Sequence, residues 1–270
     1  MPQPGQEPPL ALEAPAVDLW LISTETVVPA VLGSLASALS ATEQTQLQHL
    51  RHFSARQQFI LSRGCLRYLL SRYTGQSPSD LVFAYGPRGK PELCPNGPGS
   101  ALVFNLSHSG TRLLVGVSTA TEVSAIGVDI EVLRSINRLP GLCRRCLTPA
   151  EAKSVLALDH PQADRRFLRY WTGKEAWLKA LGLGIADAVQ TLELAIERDM
   201  PSKPEAVAVT ADRLEPAGEL YQGQLEADYF AAIALQFSHR HAVPTFHLRQ
   251  TTPADLALHP SALQPGSTTS

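Results

Sequence analysis

The stretch "AIGVDIEVL", residues 125–133, decides how this chain is built. Its side chains alternate in the manner of a strand: Val128 and Ile130 point into a core, while Asp129 and Glu131 project together from the other face. Downstream, "LTPAEAKSVLAL" opens a helix with Thr148 as N-cap and Glu151 completing a capping box. A further helix runs from about Arg165 to Leu181 and stops at Gly182, and "LYQGQLEADYFAAIALQFS" reads as a β-hairpin. The first half has the same order. "VDLWLIST", residues 17–24, alternates like a strand, and Thr42 to Tyr73 carries helical spacing broken near Ser54, with Leu66, Leu69, Leu70 and Tyr73 on one stripe. "DLVFAYGPRGKPEL" contains a Gly/Pro turn, and "ALVFNLSHSGTRLLVGVST" reads as two strands around a polar turn. The expectation is an α/β chain of the α+β kind. It has two similar halves, residues 16–122 and 123–249, that meet near Ala120 to Ser124. Residues 1–15 and 250–270, rich in proline and polar residues and without periodicity, read as tails.

Composition narrows the function classes. The 270 residues are 44% hydrophobic and 18% charged, enough to bury one large core or two smaller ones. A net charge of -2 argues against a long basic surface for nucleic acid, although it allows a local basic pocket. Cys143 and Cys146 form a CxxC without a second pair or suitably spaced histidines, so they read as ordinary structural residues. No segment reads as a signal peptide or bilayer span, so a cytoplasmic protein without membrane contact is expected.

The two carboxylates of "GVDIE" fit a solvated strand face or a site for a hard divalent cation such as Mg²⁺, which takes oxygen ligands from carboxylates and phosphates. "WTGKEAWLKALGLGI", residues 171–185, supplies a candidate third acid. On a helix Trp171, Glu175 and Lys179 share one face, flanked by Lys174, and the surrounding apolar residues suggest more than a surface ion pair. If Glu175 joins Asp129 and Glu131 at one metal, Lys179 is placed to meet an anion. In "NLSHSG", residues 105–110, Ser107 and His108 are adjacent and so make a poor nucleophilic dyad; the turn either donates hydrogen bonds to a phosphate or is a plain polar turn. "GPRGKPEL" presents Arg88 and Lys90 on a tight turn suited to phosphate. Arg51, Arg56, Arg63 and Arg67 form a solvated face or add to the same anion pocket.

Taken in order, "GKP" at 89–91, "NLSHSG", "GVDIE" and "WTGKEAWLKALGLGI" resemble the 4'-phosphopantetheinyl transferase superfamily, in the larger type that includes the surfactin-synthetase activating enzymes. The resemblance implies a monomeric pseudo-dimer with coenzyme A bound in the cleft between the halves. Asp129, Glu131 and Glu175 would then ligate Mg²⁺ together with the coenzyme's pyrophosphate. Lys179 would stabilise the departing adenosine 3',5'-bisphosphate, and Glu175 would serve as base. Ser107 and His108 would contact the 3'-phosphate and Lys90 with Arg88 the nucleotide phosphates. Arg56, Arg63 and Lys174 complete the coenzyme-binding set. The implied partners are apo acyl, peptidyl or aryl carrier proteins, with no nucleic acid. Two rivals remain: a metal-dependent nuclease, disfavoured by the charge balance, and a degenerate member that only binds coenzyme A or a carrier.

Overall fold

A computed structural model describes residues 10, 12, 16–94, 101–121, 123–184, 188–196, 201, 204–211, 218–237 and 243–258. The first half contains β1 (Ala16–Ser23), α1 (Pro29–Ser37), α2 (Ala41–His49), α3 (Phe53–Thr74), β2 (Phe83–Tyr85), β3 (Pro91–Leu93), β4 (Leu102–Ser109) and β5 (Arg112–Thr119). The second contains β6 (Val123–Val132), α4 (Leu139–Cys146), α5 (Pro149–Leu156), α6 (Gln162–Ala180), β7 (Leu192–Leu194), β8 (Glu205–Val207), β9 (Val209–Ala211), β10 (Gly218–Glu226) and β11 (Tyr229–Phe237). Two elements follow, β12 (Thr245–Thr251) and a final helix, α7 (Pro253–Leu258). One four-stranded sheet runs β12-β1-β5-β4 and the other β6-β11-β10-β8. In each half the opening strand pairs with the second strand of the later hairpin, which is the repeat expected from the sequence.

Alternation in these strands sorts side chains between two apolar environments. In β1, Trp20 and Ile22 pack with Leu66, Leu69 and Leu70 of α3, while Val17, Leu19 and Leu21 meet Val128 and Ile130 of β6 between the two sheets. In β11, Phe230, Ala232 and Ala234 face α6, and Ile233 and Leu235 face the inter-sheet core. The expected capping box of Thr148 with Glu151 forms, and α2 opens on a second one, Ser40 with Glu43. The helical break expected near Ser54 falls at residues 50–52. Cys143 and Cys146 are buried with free thiols in the second core, and burial pushes the Cys143 thiol up to about 11.

The C-terminal boundary needs correction. Rather than ending the second half at residue 249, the chain crosses back: β12 adds to the outer edge of the first sheet, parallel to β1. Residues 250–258 are therefore not a tail, and Leu256 of α7 is buried in the first core. Asp18, fully buried in β1, fixes this return by pairing with His247 at 3.1 Å and Arg249 at 3.2 Å while accepting from Tyr73 Oη at 2.5 Å. At the other end Leu10 N donates to Arg72 O at 2.9 Å, and Leu10 and Leu12 pack on the first core, so the expected N-terminal tail is anchored there too. The remainder of 1–15 and all of 259–270 lie outside the described residues.

Candidate active site between the halves

β4 lies beside β6, but the two belong to different sheets and meet through side chains. The alternate residues Asn105, Ser107 and Ser109 make the seam. Asn105 Oδ1 accepts from Val128 N at 2.9 Å, Ser107 Oγ donates to Asp129 Oδ1 at 2.7 Å, and Ser109 Oγ donates to Glu131 Oε2 at 2.9 Å while accepting from Val132 N at 3.1 Å. The sequence reading missed Asn105 and Ser109. The N-x-S-x-S alternation was the available signal, since a strand aims every second residue the same way.

Opposite the seam, α6 comes unusually close to β6, and Gly127 is the reason. A Cβ there would lie 2.0 Å from Ala176 O and 2.4 Å from Ala180 N, so any other residue would push the helix off the strand. That approach puts Lys179 Nζ 2.6 Å from Asp129 Oδ1, 3.1 Å from Ser107 Oγ and 3.3 Å from Val128 O. α6 then ends as its sequence predicts: Gly182 has φ +67°, its N–H donates to Lys179 O at 3.2 Å, and Leu183 N donates to Leu178 O at 2.9 Å.

The three acids strain against one another. Burial raises the Asp129 carboxyl above the ordinary carboxylate range despite the adjacent Lys179 ammonium. Burial, then the charge of Asp129, raises Glu131, whose partners Ser109, Arg134 and Trp171 oppose the shift. Glu175 is pushed up to about 7, first by burial and then by Asp129 and Glu131, with Lys179 pulling the other way. Among the described residues no three His, Cys, Asp or Glu side chains enclose a metal by themselves. The donor chemistry nevertheless suits a hard cation. Asp129 Oδ2 is buried without a hydrogen-bond partner, the three acids disfavour each other's charge, and Mg²⁺ commonly needs only one or two carboxylates when phosphate oxygens complete its shell.

The other expected residues divide. His108 is exposed on β4, yet its ring is close enough to the protein and to Lys179 that partial desolvation, then the Lys179 charge, pushes its imidazole down. Arg88 is exposed on the β2–β3 turn. The Arg63 guanidinium lies 5.5 Å from the Tyr85 ring and 6.0 Å from Phe59, with Nη1 buried and unpartnered. Arg56 caps α2 through Nη1, which donates to Leu47 O at 2.6 Å, and is half-buried; Arg67 is buried in an ion pair with Glu43 at 2.6 Å and is neither the solvated nor the anion-pocket group expected. Lys174 is the clearest correction among the coenzyme-binding residues. It is 0% exposed on the far side of α6, paired with Glu151 at 2.5 Å and donating to Val189 O at 2.9 Å. The helical turn that aims Glu175 and Lys179 at β6 turns Lys174 into the core. Lys90 also departs from expectation, because its ammonium donates to main-chain carbonyls of the second half.

Comparison with known proteins gives the family of this chain. A family model described as the 4'-phosphopantetheinyl transferase superfamily matches residues 125–234, which include α6 and all but the first two residues of β6. The 4'-phosphopantetheinyl transferase HetI of Nostoc sp. is 36% identical over 203 residues, spanning 75% of this chain and 82% of the relative. The chain belongs to the 4'-phosphopantetheinyl transferase superfamily. Within the superfamily, the transferase Sfp of Bacillus subtilis is 25% identical over 163 residues, covering 60% of this chain and 69% of its own. Among solved structures, a holo-(acyl-carrier-protein) synthase from Bacillus anthracis in complex with CoA (3',5'-ADP) aligns with a TM-score of 0.36 at 20% identity, covering 44% of this chain and all of that one.

Proposed function

We propose that this member of the superfamily transfers the 4'-phosphopantetheine group from coenzyme A to a serine of an apo acyl, peptidyl or aryl carrier protein. It releases adenosine 3',5'-bisphosphate, depends on Mg²⁺, and acts as a cytoplasmic monomer. The observation that carries the reading is the meeting of Lys179 with Asp129, whose second oxygen is buried and unpartnered. A cation and a carboxylate with an uncommitted oxygen are the elements a pyrophosphate–metal complex needs.

Asp129, Glu131 and Glu175 would hold Mg²⁺ jointly with the pyrophosphate. When bound, the ion neutralises phosphate charge and relieves the repulsion among the three acids. Lys179 meets the phosphate that becomes part of the leaving group, where its charge counts most as the P–O bond to the nucleotide breaks. Ser107 and Ser109 hold the acids in place, and Ser107 is committed to Asp129 rather than to a 3'-phosphate. His108 and Arg63 remain for coenzyme phosphates. The attacking serine must lose its proton as its oxygen bonds to phosphorus. Glu175 would accept it, directly or through a water.

Intact-mass spectrometry of an apo acyl carrier protein incubated with this protein, coenzyme A and Mg²⁺ tests the reading. A gain of one phosphopantetheine mass that disappears with EDTA is expected. No gain across acyl, peptidyl and aryl carriers, with coenzyme A still bound, would overturn it in favour of a binding protein.

A further inference from the structure

Lys90 closes the β2–β3 hairpin, and its backbone is rigidly placed. Gly86 N donates to Lys90 O at 2.9 Å and Gly89 N to Gly86 O at 2.8 Å, with Gly89 at φ +76°, a three-residue loop that ends in the left-handed region. From that base the side chain crosses to the second half. Its ammonium donates to Ile126 O at 3.0 Å, Lys179 O at 2.9 Å and Ala180 O at 3.5 Å. An ammonium has three protons, and three carbonyls receive them.

The location of those carbonyls gives the contact its meaning. Ile126 precedes Gly127, where α6 and β6 approach most closely, and Lys179 and Ala180 are the last two residues of α6. A helix end leaves carbonyls without intrahelical partners and carries partial negative charge, so a cation there is held by direct bonds and by the helix dipole. Gly127 permits the approach. Lys90 supplies the attraction that keeps it, on the same residue whose side chain reaches Asp129.

We infer that Lys90 is a positioning residue: it clamps the C-terminal end of α6 to β6 and so fixes the Lys179 ammonium over Asp129, instead of binding a coenzyme phosphate. The kinetic consequence rests on the transferase reading above; the structural one does not. Removing the clamp leaves the site's own groups intact but lets Lys179 wander, and misplacing a catalytic group by about 1 Å can cost on the order of 100-fold in rate.

The test compares Lys90→Met and Lys90→Arg with the unmodified full chain by three measurements. These are hydrogen exchange over residues 178–183, calorimetric affinity for coenzyme A, and steady-state transfer to an apo carrier. For Lys90→Met, exchange should accelerate, coenzyme A affinity should hold, and kcat should fall about 10- to 100-fold with little change in KM. The guanidinium of Lys90→Arg, which can also donate to several carbonyls, should restore most of both losses. Weakened coenzyme A binding with unchanged exchange would overturn the inference and return Lys90 to the phosphates. Faster exchange with unaltered kcat would reduce the clamp to a structural contact and overturn the positioning role. If the unmodified protein transfers nothing, the proposed function fails, yet exchange and coenzyme affinity still decide between clamp and phosphate ligand.

Discussion

Lys174 and Lys179 stand on the same helix, each beside a carboxylate, and their surroundings give them opposite uses. Lys174 meets Glu151 in the second core with both side chains almost wholly buried, at 0% and 2% exposure. Glu151 there also accepts from Thr148 N and Leu194 N, both at 2.9 Å, so the network is closed. Lys179 meets Asp129 at the cleft and is 29% exposed, while Asp129 Oδ2 stays unpartnered. A closed pair ties α5, α6 and β7 together. An open pair retains capacity for a substrate or an ion. An ion pair thus acquires its role from what its neighbours leave unsatisfied.

The sharpest way to break this contrast is Lys174→Met, which leaves the Glu151 charge buried and uncompensated. It should lose about 3–5 kcal/mol in denaturant unfolding. The folded fraction should still turn over normally, and adding Glu151→Gln should recover part of the loss. If Lys174→Met instead abolished coenzyme A binding in a stable protein, the two lysines would not differ as described.

Lys179→Ala should do the reverse, lowering kcat by about 10²–10³ while the unfolding midpoint moves little. A rise in KM at constant kcat would show that Lys179 only binds the ground state.

Smaller in size is the effect of removing the buried Glu175 charge. Because the Glu175 carboxyl titrates higher in the folded protein than its ordinary value of 4.5, the folded state holds the proton more tightly. The stability associated with that proton is present below pH 4.5 and is lost as pH rises through about 7. Glu175→Gln should therefore raise the melting temperature at pH 8, with little gain at pH 4.5, even as turnover collapses. Equal gains at both pH values would mean that the buried Glu175 charge is not the cause.

Ser109→Ala should show the smallest effect, about 1 kcal/mol for the lost hydrogen bond to Glu131. Weaker Mg²⁺ binding by calorimetry should accompany it and be restored in Ser109→Thr. Unchanged binding would place Ser109 in the seam alone.

Much of this arrangement is legible along the chain because its causes are local. The DxE pair faces one way because strands alternate; Glu175 and Lys179 share a face because helices repeat; Thr148 and Glu151 announce a helix start within four residues. Lys174 shows the limit of such reading. Its position next to Glu175 says that it points elsewhere, but whether elsewhere is solvent, coenzyme or core depends on Glu151, brought alongside only when α5 packs on α6.

What the sequence alone determined is the order of strands and helices, the repeat of that order, and the shared faces of Asp129 with Glu131 and of Glu175 with Lys179, since periodicity and chemical type reside in neighbouring residues. Tertiary structure decided the return of β12 to β1, where Asp18 meets His247 across 229 positions of chain, and the use of Lys90, whose acceptors lie 36, 89 and 90 residues away. Those partners are main-chain carbonyls and buried side chains with no local signature. Only the folded chain supplies the proximity that turns a charge into a clamp.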